Sequence, residues 1–291
     1  MALAYNKACE LEDFRDPALS ALIRDLFAHD VERFGAAFPA GREYRKYWEV
    51  AMAARSLRDL GALGPGAELL GVGAGSEPTI FWLTRHARRV FATDLYLEGA
   101  DWADSANAGM LTHPQDFYLG EWYPRRLVVQ HMDGRDLAYE DACFDGVFSC
   151  SSIEHFGDLD DVRRALQEIC RVLRPGGIAV LSTELRLAGP PPGLPDVLMF
   201  DLDQLQTLLD GLGCEVVDPL DVRVSPATRA TVVPFADAAA DVRAHTECHG
   251  RLRFDALTWS RYPHIVLEQD ELVWTSVNLT LRRASATPST L

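Results

Sequence analysis

The chain has 291 residues, of which 48% are hydrophobic and 24% are charged, and its formal net charge is −15 at pH 7. These proportions are those of a globular protein with a sizeable core, and they exclude disordered and fibrous classes. The negative charge repels nucleic-acid phosphates and anionic membrane surfaces, so we expect neither nucleic-acid nor membrane partners.

The cysteines and the first residues bear on the cellular compartment. Six cysteines are scattered without a CxxC pair, which is typical of reduced side chains in a chain of this length. No apolar run reaches the ~18 to 20 residues of a membrane span, and the first ten residues lack the pattern of a secretory signal. We therefore expect a cytoplasmic protein without disulfides.

Two amphipathic helices are predicted before the first strand of the main domain. Apolar residues recur at spacings of three and four over 17–34 and over about 42–60, where Tyr44, Tyr47 and Trp48 belong to the stripe. Gly61 ends the second helix. We interpret residues 1–61 as an N-terminal helical cap.

Short apolar strands alternate with helices from Glu68 onward, which predicts an α/β fold with a parallel sheet. The predicted strands are Glu68–Val72, Val90–Asp94, Leu127–Gln130, Phe144–Cys150 and Gly177–Thr183, with helices near 77–87, 158–173 and 201–212. A later strand pair, Cys214–Asp218 and Leu272–Leu281, brackets an insertion at 221–262. We place the main domain at 62–283 and a flexible tail at 284–291.

A glycine-rich turn follows the first of these strands. Gly71, Gly73, Ala74 and Gly75 lead into a predicted helix, and a tight turn alone would explain them. However, Asp94 ends the next strand 19 residues after Gly75, where an acid can accept both hydroxyls of a ribose. The GxGxxG pattern is incomplete whether it is counted from Gly71 or from Gly73, so a nucleoside cofactor other than NAD is favoured.

Blocks further along the chain extend this pattern over about residues 68–183. They are Gly73-Ala74-Gly75, Asp94, Met132-Asp133-Gly134, Phe144 to Ser149, Ile153-Glu154-His155-Phe156 and Arg171 to Gly177. In this order and spacing they resemble a class I S-adenosylmethionine-dependent methyltransferase of the small-molecule type. The resemblance implies a Rossmann-like sheet of seven strands, mostly parallel with an antiparallel last strand, and S-adenosylmethionine as cofactor.

The resemblance also implies roles for single residues. The glycine turn would lie beside the methionine part of the cofactor, Asp94 would hold the ribose, Leu95 would pack on adenine, and Asp133 with Gly134 would contact the adenine amino group. The expected cofactor-binding residues are Gly71, Gly73, Ala74, Gly75, Glu77, Asp94, Leu95, Met132, Asp133, Gly134 and Ser149.

Two positions depart from the family pattern. Gly71 stands where the family usually has an acid, and Glu77 stands where it usually has a glycine. Glu77 either supplies the carboxylate that Gly71 lacks, toward the amino group of the methionine part, or only caps the following helix.

The acceptor chemistry centres on His155, which follows the tip of the fourth predicted strand of the main domain and titrates near neutral pH. We take it as the candidate general base, with a structural role as the alternative. Tyr47, Trp48, Glu154 and His264 are expected substrate contacts, and 221–262 is expected on the substrate side. His245, Glu247, Cys248 and His249 match no standard zinc spacing, so no metal is expected.

The sequence thus predicts methyl transfer to a small molecule, favouring the hydroxyl oxygen of a sugar or secondary metabolite. N-methylation, or a cofactor-binding partner or sensor without turnover, is the alternative. The acceptor and the oligomeric state stay open, with a homodimer as one option.

Overall fold

The computed structural model describes residues 3–98, 106–253 and 256–285, and its centre is a ten-stranded mixed sheet. In chain order the strands are β1 (Lys7–Ala8), β2 (Glu68–Val72), β3 (Arg89–Asp94), β4 (Leu127–His131), β5 (Phe144–Cys150), β6 (Leu173–Ala188), β7 (Gly193–Leu194), β8 (Val197–Leu198), β9 (Cys214–Val216), β10 (Val232–Pro234), β11 (Val266–Gln269) and β12 (Leu272–Arg283). The helices are α1 (Pro17–Leu26), α2 (Ala28–Phe34), α3 (Arg45–Asp59), α4 (Pro78–Leu83), α5 (Leu159–Val172), α6 (Leu202–Leu209), α7 (Pro226–Arg229) and α8 (Phe235–His249). Strands β7 and β8 form a separate hairpin.

One half of the sheet is parallel, in the order β4-β3-β2-β5-β6. The inner strands are apolar because both of their faces are buried, as Leu69, Leu70 and Val72 of β2 illustrate, whereas the edge strand β4 is half-buried. The chain runs outward from β2 through β3 and β4, then returns to place β5 on the other side of β2. Ligands of open α/β sheets bind at the carboxyl ends of the strands where the order reverses in this way.

The other half of the sheet is built around β12, which runs antiparallel to β6 from Val273 opposite Ala188 to Arg282 opposite Ile178. Strand β9 pairs with β12 as well, which confirms the strand pair predicted around the insertion. The predicted α/β class with an antiparallel last strand is confirmed. Strands β1, β10 and β11 enlarge the sheet beyond the seven strands expected.

Helix α3 connects the N-terminal region to the sheet, because it packs against β5, β6 and β12 as well as α1. Its residues from Tyr47 to Leu57 are all buried. On the opposite side, α5 begins at Asp158, whose carboxylate accepts hydrogen bonds from the backbone N–H groups of Asp160 and Asp161. The described part of the N-terminal region, residues 3–61, therefore packs on the sheet, and its strand β1 pairs with β12.

Three predicted boundaries differ from the structure. The helix predicted over 17–34 is two helices, because buried Phe27 adopts non-helical angles (φ −117°, ψ 49°) between them. The helix predicted at 77–87 ends at Leu83 and continues as turns. Strand β6 runs to Ala188, past the predicted Thr183, since β12 pairs with its extension. Residues 286–291 of the expected tail lie outside the described residues.

No helix in the described ranges combines the length and the apolar character needed to cross a membrane.

Candidate functional site

A cavity of about 480 Å³ opens at the carboxyl edge of the parallel strands, where the strand order reverses. The loops after β2, β3, β4 and β5 form its inner wall. Of the residues predicted to bind cofactor or substrate, the structure brings together Gly73, Ala74, Gly75, Glu77, Asp94, Leu95, Met132, Asp133, Gly134, Glu154 and His155 in this wall. The predicted residues thus surround a single cavity.

Asp94, at the end of β3, holds the glycine turn in place. Its Oδ2 accepts a hydrogen bond from the Gly75 N–H and its Oδ1 from the Leu95 N–H, both at 2.7 Å. Burial raises the pKa of this carboxyl group, while the two N–H donors oppose the rise. A carboxylate has about four lone-pair positions, so Asp94 keeps acceptor capacity toward a ligand.

Asp133 is already engaged by a residue that sequence reasoning missed. The guanidinium of Arg135 donates to both of its oxygens, with Nη2 at 2.7 Å from Oδ2, and a second Arg135 nitrogen donates to the Phe156 carbonyl. These hydrogen bonds hold the pKa of Asp133 below its usual range. Asp133 is therefore ionised, and any ligand amino group shares it with Arg135.

Glu77 lies just before α4 with its carboxyl group buried in the wall. Burial raises its pKa to about 8, opposed by the nearby Lys46 charge. Its Oε2 has no hydrogen-bond partner among the described residues. A buried acceptor without a donor is costly, so this oxygen is suited to a donor that a ligand supplies.

A buried charge cluster underlies the cavity, made of Arg45, Lys46, Glu49 and Glu184. Arg45 Nη1 lies 2.7 and 2.8 Å from the two oxygens of Glu184 and 3.2 Å from Glu49 Oε1, while Lys46 Nζ lies 3.0 Å from Glu49 Oε2. Burial by itself would raise the pKa of Glu49, but the Lys46 and Arg45 charges lower it overall. The positive charges of Arg45 and Lys46, at the start of α3, thus neutralise the carboxylates of Glu49 and Glu184.

Glu154 lies in the loop after β5, near Glu184 of this cluster. Its Oε2 accepts a hydrogen bond from the Thr183 hydroxyl at 2.8 Å, and its Oε1 has no partner among the described residues. Burial and the charge of Glu184 raise its pKa to about 8. Glu154 is therefore mostly protonated at neutral pH.

His155 lines the cavity at this edge and is half-buried. Its Nδ1 lies 3.1 Å from the carbonyl oxygen of Asp196 in the β7–β8 turn. A carbonyl only accepts hydrogen bonds, so Nδ1 carries the hydrogen and Nε2 carries the lone pair. Burial lowers the pKa of His155 below 6.5, which keeps the ring neutral at pH 7.

The outer wall of the cavity is apolar and comes from regions after β6. It consists of Leu194, Val197, Met199, Phe235, Leu252 and Trp274. These residues lie on the β7–β8 hairpin and after it, at the start of α8, after α8 and on β12. The expected substrate side, 221–262, contributes two of the six residues.

Two predicted cofactor residues lie behind the wall instead of in it. Gly71 is buried in β2, where an added Cβ would come within 2.6 Å of the Phe148 ring. Ser149 is fully buried, and its hydroxyl lies 2.8 Å from that of Ser152, which does line the cavity. The structure gives both a packing role.

Three predicted substrate contacts are corrected in the same way. Tyr47 packs edge-on against Phe27 and Phe38, and its hydroxyl lies 2.9 Å from Asp30. Trp48 is fully buried, and its Nε1 donates to Asp13 at 2.8 Å. The stripe of α3 that carries these rings faces the core, as amphipathic periodicity favours.

His264 is the third of these contacts. It is 2% exposed, and it packs against the ring of Tyr44 at a tilt and against the ring of Trp259 edge-on. Burial, with the Arg45 and Lys46 charges, lowers its pKa to about 3. A buried, neutral histidine in an aromatic cluster serves the core.

The packing role of Gly71 predicts that an added methyl group at this position lowers the stability of the fold. Gly71→Ala would press a methyl group against Phe148 and against the Ala74 Cβ, 2.9 Å away, and overpacking of this kind costs about 1–3 kcal/mol. We expect a lower midpoint in urea denaturation. Gly66→Ala is the control, because nothing lies within 4 Å of its added Cβ. Equal midpoints for the two variants would contradict the packing role.

Four charged residues of the wall were not predicted from the sequence, although one signal was present for two of them. The four are Arg45, Lys46, Arg135 and Glu184. Arg45, Lys46 and Glu49 are spaced for i,i+4 and i,i+3 pairs, and an apolar run at 50–54 follows them directly in the same helix. Charges inside an apolar helix indicate a buried polar cluster. The apolar outer wall carried no such signal, since its residues lie 80 positions apart, from Leu194 to Trp274.

Comparison with known proteins agrees with this geometry. Residues 70–181 match the family model described as "Methyltransferase domain". The chain is 28% identical over 214 residues to the 27-O-demethylrifamycin SV methyltransferase of Amycolatopsis mediterranei, covering 72% of this chain and 70% of that protein. It is 35% identical over 103 residues to the O-methyltransferase cnsE of Penicillium expansum, covering 32% of this chain.

The matched stretches span only part of the fungal relatives, 36% of cnsE and 42% of the O-methyltransferase rstn1 of Aspergillus nomiae. Among solved structures, the [4+2]-cyclase SpnF aligns over 95% of this chain and 94% of its own, with a TM-score of 0.53 and 19% identity. That structural likeness shows the fold alone.

Proposed function

We propose that the chain, whose residues 70–181 match a methyltransferase domain, is a class I S-adenosylmethionine-dependent methyltransferase. We further propose that it methylates a hydroxyl oxygen of a small, largely apolar molecule. One observation carries the proposal. A single cavity joins the glycine turn and Asp94 to a neutral histidine and to an apolar outer wall.

The inner wall fits this cofactor by its chemistry. Asp94 would accept the ribose hydroxyls, Leu95 would lie against adenine, and Asp133 would accept from the adenine amino group. The partnerless oxygen of Glu77 suits the ammonium group of a methionine moiety. When bound, the cofactor supplies an electrophilic methyl group on a sulfonium.

His155 would act as the general base toward the acceptor. A hydroxyl becomes a better nucleophile when a neighbouring group removes its proton, and Nε2 of neutral His155 holds the lone pair for it. The Asp196 carbonyl fixes the ring and would stabilise the positive charge that the imidazole gains. Most of the remaining rate enhancement would come from holding the two reactants in contact.

The outer wall favours an apolar skeleton over a sugar. Leu194, Val197, Met199 and Leu252 offer no side-chain hydrogen bonds, whereas a sugar needs partners for each buried hydroxyl. Phe235 and Trp274 suit an aromatic or alicyclic ring. The O-methyltransferase names of the relatives agree with an oxygen acceptor.

The test uses matched acceptors, namely a bulky phenol, the aniline of the same skeleton and a monosaccharide. Each is incubated with the protein and S-adenosylmethionine, and products are identified by mass spectrometry. We expect the phenol to gain a methyl group on oxygen and the monosaccharide to react far more slowly. Preferential methylation of the aniline would favour N-methyl transfer. Cofactor binding without transfer to any of them would favour a sensor or partner role.

A further inference from the structure

The amino-acid end of the cofactor carries two opposite charges within a few atoms, an ammonium and a carboxylate. A site that binds it needs an acceptor with negative charge and a donor with positive charge on one wall. Gly71 stands where the family has its acid. The described cavity offers an alternative pair, Glu77 and Lys46, both in its wall.

Glu77 provides the partner for the ammonium. Burial leaves it mostly protonated at neutral pH in the free protein, and an ammonium placed beside it would lower its pKa and favour the carboxylate. Its carboxyl group is buried, and its Oε2 lacks a donor among the described residues. It lies one position before α4 and two after Gly75, so the glycine turn and the carboxyl group share one loop. A ligand ammonium placed against that loop would satisfy the orphaned oxygen.

Lys46 provides the positive partner. It lies at the start of α3, and its side chain keeps 23% of its surface exposed, while that of Glu49 below it is fully buried. Its ammonium has three donors, and Glu49 is the one acceptor that the structure gives it among the described residues. Burial would lower the pKa of Lys46, but the Glu49 charge raises it overall, so the group stays charged.

Neighbouring groups leave Lys46 directed at the cavity. Glu49 is held by Arg45, by the Ser151 hydroxyl at 2.8 Å and by the Ser276 hydroxyl. Its carboxylate is therefore fixed, and it anchors one N–H of Lys46. Glu77 and Lys46 both line the same cavity, so one small zwitterion bound there can meet both groups.

We propose that Lys46 and Glu77 form a clamp for the amino-acid end of the cofactor, with Lys46 taking the carboxylate and Glu77 the ammonium. The inference rests on the proposed cofactor use. The clamp assigns Lys46 to binding of the cofactor and not of the acceptor. It also explains how the chain can bind the cofactor with Gly71 at the position where the family usually has an acid.

Calorimetry with three ligands tests the clamp. S-Adenosylhomocysteine carries both charges, its decarboxylated analogue keeps only the ammonium, and 5′-methylthioadenosine lacks both. Lys46→Met and Glu77→Gln are compared with Arg164→Met, which removes a charge from an exposed helix surface.

We expect each clamp variant to bind S-adenosylhomocysteine at least about tenfold more weakly, equivalent to about 1.4 kcal/mol. Glu77→Gln should also weaken binding of the decarboxylated analogue, whereas Lys46→Met should not. Neither should change the affinity for 5′-methylthioadenosine, and Arg164→Met should change none of the three.

Two results would overturn the clamp. One is unchanged affinity for S-adenosylhomocysteine in both variants. The other is an equal loss for all three ligands, which would reveal a structural role. If the wild-type protein binds none of the ligands, the proposed function itself fails, and this outcome is distinct from the other two.

Discussion

Asp94→Asn is expected to weaken the binding of S-adenosylhomocysteine by about 100-fold, or about 2.7 kcal/mol. The two oxygens of Asp94 accept from Gly75 N–H and Leu95 N–H. An amide keeps only one acceptor oxygen, so its NH₂ group must face one of these donors. The change therefore loosens the glycine turn and removes charge from the expected ribose site at the same time. Titration calorimetry measures the effect.

Asp203→Asn is the matched control for this prediction, because Asp203 is exposed on α6 and does not line the cavity. It should leave the affinity unchanged. A fully folded Asp94→Asn protein that binds as tightly as wild type would remove Asp94 from the cofactor site.

His155→Asn is expected to lower kcat by about 10²- to 10³-fold, the usual contribution of a general base, and to leave the affinity for S-adenosylhomocysteine unchanged. Because burial lowers the pKa of His155, the ring is neutral at pH 7 and becomes protonated as the pH falls through that lowered pKa. The wild-type kcat should therefore decline on the acid side, below pH 6.5, and be flat just above it. The variant should lose this acid limb.

The variant Glu154→Gln distinguishes the contribution of His155 to the pH dependence of kcat from that of the neighbouring Glu154. The pKa of Glu154 is raised to about 8, so its ionisation would produce a limb on the alkaline side of neutrality. A rise of kcat through about pH 8 that persists in His155→Asn and is lost in Glu154→Gln would transfer the role of base to Glu154. A His155→Asn activity within a few-fold of wild type would exclude His155 as the base.

The cofactor half of the site was predictable because its signals are local in sequence. A buried strand, a glycine turn and an acid at the next strand tip specify their own geometry, as Gly73, Gly75 and Asp94 show. Parallel strands then bring the loops after β2, β3, β4 and β5 to one edge. The strand bounds of β2 and β5 matched the apolar runs for the same reason.

The acceptor half was not predictable, because it depends on which face of each element turns inward. Periodicity identified α3 but could not decide between core and cavity for Tyr47 and Trp48, which belong to the core. Charges at 45 and 46, at the start of the same helix, reach the cavity instead. Trp274 enters the wall through the pairing of β12 with β6, a contact across about ninety positions of sequence that no local pattern records.

A crystal structure with S-adenosylhomocysteine would test the central claim most directly, namely that one cavity holds both the cofactor and the acceptor. The account predicts ribose hydroxyls on Asp94, the amino-acid end between Lys46 and Glu77, and the sulfur facing the side of the cavity that holds His155 and the apolar wall. The ligand bound elsewhere, or with its sulfur turned away from His155, would contradict it.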